Sequence, residues 1–105
     1  MGHRDWPAGE GPREKLLLRG AQALSDVELL AVVLRTGRPG ASALEVARDL
    51  LERAGNLAAV MGLDRGELEA EPGLGPGKVA QLQAARELAR RSAEQTLRGG
   101  DVMTS

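Results

Sequence analysis

Apolar residues recur along this chain in short bursts at helical spacing, and nowhere do they alternate with polar ones long enough to outline a strand. "PREKLLLRG" predicts a first short helix, with Pro12 at the first turn, where a missing N–H is harmless, and Gly20 closing it. Ser25 and Glu28 have capping-box spacing, and Leu24 and Leu29 stand at the two staple positions, so a second helix is expected from Asp26 to about Thr36. Ser42 and Glu45 repeat the box. Leu44, Ala47, Leu50, Leu51 and Ala54 then line one face until Gly55 stops the third helix. Asn56 caps a short helix ending at Gly62. Asp64 and Glu67, with Leu63 and Leu68 as staple, start another that Pro72 ends. The last helix is expected from about Lys78 to Leu97, with Val79, Leu82, Ala85, Leu88 and Ala89 turned inward. The pattern predicts an all-α domain, a compact bundle of five to six short helices.

Its boundaries follow from the same pattern. Residues 1–11 are rich in glycine and polar groups and read as a flexible lead, residues 12–97 hold the helical domain, and residues 98–105, "RGGDVMTS", read as a linker toward a further domain. Composition changes little in this picture but narrows the chemistry. Apolar residues make up 42% of the 105 and aromatics 1%, so the core must be aliphatic. Nothing resembles a membrane span or a signal peptide, and there are no cysteines, which fits a cytoplasmic protein. The net charge is -1, so an anionic partner must be met by local structure and not by a general positive field.

The chemistry-bearing stretch is "EPGLGPGKVAQL", residues 71–82. Glycine enters positive-φ conformations cheaply and has no side chain to hold a ligand away from its amides. Pro72 and Pro76 fix the chain direction on either side of the bend. Gly73, Gly75 and Gly77 are therefore expected to present N–H groups beside the positive end of a helix dipole, with Gly75 in a positive-φ position and Lys78 in the first helical turn. That arrangement suits a phosphate. The competing reading is a tight structural corner. An offset of 38 residues aligns Asp26 with Asp64, Leu30 with Leu68, Gly37 with Gly75, Leu44 with Leu82, Ala47 with Ala85 and Leu50 with Leu88, which suggests two copies of a helix, glycine bend, helix unit. The first bend offers Arg35, Thr36, Gly37, Arg38 and Gly40 as a second candidate contact, or as a degenerate structural copy.

"LEAEPGLGPGKVAQLQAARELARR" resembles a helix-hairpin-helix motif, whose Gly-hydrophobic-Gly hairpin grips a DNA backbone phosphate without reading sequence. Taken in order, "PREKLLLRGAQALSDVELLAVVLRTG", "ALEVARDLLERAGNL" and "GLGPGKVAQLQAARELARR" resemble the N-terminal domain of the RadC family of bacterial proteins, traditionally called DNA repair proteins. The resemblance covers about residues 12–92. It implies two helix-hairpin-helix units, a weak, sequence-independent DNA partner, and a following JAB/MPN-type domain with a zinc-isopeptidase-like metal site. No such ligand pattern is present, since the sole histidine is His3. The expectation for these residues is a binding module, not an enzyme, with no catalytic residues, no metal and no cofactor. The alternative is a protein-interaction module that positions the further domain.

Other candidates have plain readings. Arg90 lies about 18 Å along the last helix from Lys78, so Arg86, Arg90 and Arg91 read as a solvated face near a helix C-terminus. Trp6 reads as a lead residue, and without other aromatics single-strand stacking has no platform. "GLGPGK" lacks the spacing and the Ser or Thr of a P-loop.

Overall fold

The computed structural model describes residues 11–35 and 41–103. Within them the chain forms helices α1 (Pro12–Arg19), α2 (Asp26–Leu34), α3 (Ala43–Ala54), α4 (Leu57–Met61), α5 (Arg65–Glu69) and α6 (Pro76–Met103), with one 3₁₀ turn at Ala21–Ala23. No β-strand appears among the described residues. The fold is all-α, and no helix among the described residues is long and apolar enough to cross a membrane.

The caps account for where these helices begin. Ser25 Oγ accepts from the Glu28 N–H at 3.2 Å while Glu28 accepts back from the Ser25 N–H at 2.9 Å. Ser42 and Glu45 do the same at 3.1 and 2.9 Å, and Asp64 and Glu67 at 2.8 and 2.9 Å. Asn56 Oδ1 takes the Ala59 N–H at 2.8 Å. Each satisfies amide groups that the first helical turn leaves without a partner. Gly20, at φ 89, and Gly55, at φ 114, supply the left-handed C-caps of α1 and α3.

The core is aliphatic throughout. Leu30, Ala31 and Leu34 of α2 meet Ala43, Val46, Ala47 and Leu50 of α3, and Val60, Leu68, Leu74, Val79 and Leu82 close the cluster. Around the α2–α3 pair, α1 packs on α2, α4 on α3, α5 on α6, and α2 on α6. Gln81 Nε2 donates to the Val33 carbonyl at 2.9 Å, tying the second turn of α6 to the end of α2.

Four expectations change. Helix α2 stops at Leu34 instead of Thr36, because Arg35 turns to φ 71 and its N–H closes on Ala31. Helix α6 begins at Pro76 and runs past Leu97 to Met103, with a non-helical residue at Gly99. Leu88 and Ala89 do not face the core: both are exposed, Leu88 by 70%, and Leu88 stands about 180° around the helix from buried Val79 and about 120° from buried Leu82. Finally, the 38-residue offset does not carry through the second helices. Buried Leu50 aligns with exposed Leu88, and fully buried Ala47 with half-buried Ala85.

Candidate nucleic-acid interface

The bend between α5 and α6 begins with a hydrogen bond from the Leu74 N–H to the Glu71 carbonyl, 3.1 Å. Between them lie Pro72 and then Gly73 at φ 95, the arrangement of a type II turn. Leu74, 5% exposed, drops into the core and anchors the corner. Gly75 then takes the N-cap position, its carbonyl accepting from the Val79 N–H at 3.0 Å, and Pro76 opens the helix.

The three glycines therefore do different things. Gly73, not Gly75, occupies the positive-φ position, which corrects the expectation drawn from the sequence. The cause is the turn chemistry: proline at the second position and a left-handed third residue define type II. Gly75 and Gly77 have ordinary φ, and a Cβ on either would meet nothing within 4 Å. Gly75, Pro76 and Gly77 are exposed and Lys78 is half-buried. The N-cap of α6 thus carries no side chain, whereas Ser25, Ser42, Asn56 and Asp64 stand at that position in α2, α3, α4 and α5. Helix α1 also begins Gly-Pro, but its Gly11 and Pro12 are buried.

The neighbouring carboxylates have partners inside the chain. Glu71, 3% exposed, lies 3.5 Å from Arg53 of α3, and Glu69 accepts from Arg65 at 2.9 Å. The pairing of Arg53 with Glu71 has no signature in local spacing, since the two stand in different helical units. Arg86, grouped with the solvated arginines, instead donates to the carbonyl oxygens of Met61 and Leu63 and helps close the end of α4. Arg90 and Arg91 are surface residues, both on Glu87, and their hydrogen bonds lower the Glu87 carboxyl to about 2.

In the first bend, exposed Arg35 stands at φ 71 and ψ -51, a backbone region that L residues enter only at a cost of about 1–3 kcal/mol. Thr36, Gly37, Arg38 and Gly40 lie outside the described residues. The offset of 38 places Arg35 on Gly73, so the two positive-φ turn residues coincide although the following helices do not. The Gln81–Val33 hydrogen bond brings the start of α6 against the end of α2, just before Arg35.

These features define a small all-α domain in which side chains cap α2, α3, α4 and α5, and the start of α6, which follows an exposed glycine hairpin, is open. A family model described as UPF0758 N-terminal matches residues 3–80, and the chain belongs to that family. This fits the N-terminal part of a RadC-family protein, as the three segments in order suggest. It is 51% identical over 105 residues to a UPF0758 protein of Shewanella oneidensis and 52% identical to one of Shewanella baltica, in each case over 100% of this chain and 47% of that protein. The chain spans about half the length of the curated relatives it matches. No solved structure matches it.

Proposed function

We propose that this domain is a non-enzymatic module that binds the DNA backbone without reading sequence, through a helix-hairpin-helix unit formed by α5, the hairpin and α6. The observation that carries this reading is the open hairpin: Gly75 and Gly77 leave free space where a side chain would stand, at the positive end of the longest helix. Lys78 adds a cation in the first turn, and a phosphate oxygen is the acceptor that suits both. The first bend, Arg35 to Gly40, would form a second, weaker contact.

With so few phosphate contacts the affinity is that of non-specific binding, a Kd on the order of 10⁻⁴–10⁻⁶ M at physiological salt. Fluorescence anisotropy with two unrelated duplexes at low salt tests the proposal. Similar affinities and a salt slope of about -1 to -2 are expected. Absence of binding to either duplex at low salt would remove it. A second reading, an interaction surface that positions the rest of a longer protein, is favoured by a separate observation, the exposed leucines of α6.

A further inference from the structure

Glu71 is a buried carboxylate, 3% exposed, in the residue that opens the hairpin turn, where its carbonyl accepts from the Leu74 N–H at 3.1 Å. A charge taken out of water is costly unless another offsets it. Arg53, in the last turn of α3, provides that offset, with Nη1 3.5 Å from Glu71 Oε1. The separation is that of an ion pair, longer than the charge-assisted hydrogen bond of about 2.7–2.9 Å that locks a guanidinium in place. Other arginines are held closer. Arg65, Arg90, Arg91 and Arg98 each donate to a glutamate of their own helix at between 2.8 and 3.3 Å, and Arg86 donates to the carbonyls of Met61 and Leu63.

We propose that Arg53 is a further DNA contact of the hairpin site: Glu71 holds its guanidinium beside the hairpin by charge, and its remaining N–H groups take a neighbouring phosphate of the strand. The inference rests on the reading of the hairpin as a phosphate site and adds to it a cation from α3. Glu71 and Leu74 are the first and fourth residues of a turn, so their Cα atoms lie within about 7 Å. The guanidinium paired with Glu71 thus stands within a side chain's length of the turn that leads into Gly75. A DNA strand offers a phosphate about every 3.4 Å of its axis, and a cation so placed meets one of the next along. Arginine suits the task, since it is always charged and carries five N–H donors, most of which one loose ion pair leaves available. Were Arg53 needed for Glu71 alone, a buried guanidinium with close hydrogen bonds would serve better than one whose side chain is 52% exposed. The pair also offsets a carboxylate that would otherwise repel a phosphate at the hairpin.

Side-chain NMR tests this without altering the protein. When the 105-residue chain is titrated with a duplex at low salt, the Arg53 Nε–H resonance should shift along the same saturation curve as the Gly75 and Gly77 amides. The Arg98 Nε–H should not move, because Arg98 stands about 30 Å along α6 from Lys78. Glycine shifts without an Arg53 shift would overturn this inference and leave the phosphate-binding hairpin standing. No shift in any of them would remove both. Anisotropy at several salt concentrations measures the charge, with Glu71→Gln as the background so that removing Arg53 strands no buried carboxylate. Adding Arg53→Gln to it should weaken binding about two- to fivefold and reduce the salt slope by about one, whereas Arg53→Lys should keep the slope. Equal slopes for Glu71→Gln with and without Arg53→Gln would overturn the proposal. If Glu71→Gln does not fold, the resonance titration of the unaltered chain still decides.

Discussion

Gly75→Asp should make this domain more stable and worse at binding DNA, and that opposition is what makes the substitution informative. Gly75 has an ordinary φ, a Cβ there meets nothing within 4 Å, and the residue occupies the N-cap of α6. An aspartate at this position can accept from the amides of the first turn as Asp64 does for α5. Replacing a glycine cap by aspartate is worth a few tenths of a kcal/mol, and a negative charge at the positive end of a helix about 0.3–1 more. A gain of about 0.5 kcal/mol raises the melting temperature by about 2–4 °C in a domain of this size. The same carboxylate stands where the phosphate is proposed to sit. Two like charges 4 Å apart repel by about 1 kcal/mol in bulk water and about 4 at the effective dielectric of a protein surface. The aspartate also takes the amides for itself. A loss of affinity of at least tenfold follows, because tenfold needs only about 1.4 kcal/mol. Gly73→Ala supplies the contrast: its φ of 95 makes any side chain strained, so it should cost about 1–2 kcal/mol while the folded fraction still binds. Thermal melts and anisotropy on the same samples at low salt give both readings. Undiminished binding by Gly75→Asp would refute the phosphate-binding hairpin, whatever its stability.

Lys78→Ala should weaken binding equally on unrelated duplexes and reduce the salt slope by about one, as titrations at several salt concentrations would show. Leu50→Ala, at a site 2% exposed between α2 and α3, should cost about 2–5 kcal/mol in chemical denaturation. The Glu28 carboxyl is lowered below its usual range, first by the Ser25 N–H and also by Lys15. A depressed folded-state value means its contribution is present above the unfolded value near 4.5 and is lost as pH falls through the folded one. Glu28→Gln should therefore lower stability at pH 7 and flatten the acid limb of the stability profile below about pH 4.5, measured by denaturation at several pH values.

What the sequence made legible was local. The three capping boxes and the Asn56 cap join residues three apart, so their spacing alone placed the starts of α2, α3, α4 and α5. The Pro72–Gly73 pair carried a further signal, proline then glycine at the centre of a type II turn, that would have assigned the positive φ to Gly73 instead of Gly75. The exposure of Leu88 was legible as well: at 100° per residue it stands about 180° around the helix from Val79 and about 120° from Leu82, so the helical period turns it away from the side that those two bury. The pairing of Arg53 with Glu71 was hidden, because α3 and the hairpin meet only after the chain has folded back.

The two connections also bear on why the second is the stronger site candidate. Both turn through a residue of positive φ, Arg35 in one and Gly73 in the other, and both lead into a helix whose first amides need acceptors. In the first, Ser42 and Glu45 meet that need from within the chain, with bonds of 3.1 and 2.9 Å. In the second, the cap position holds Gly75, and the space outside it is open although serine would fit there and stabilise the helix. A chain that caps α2, α3, α4 and α5 with side chains yet starts α6 with a glycine has forgone a few tenths of a kcal/mol at a start that is both exposed and beside a lysine. An external acceptor gives that omission a purpose, and a merely structural corner does not, since the corner itself is made by Pro72, Gly73 and the buried Leu74.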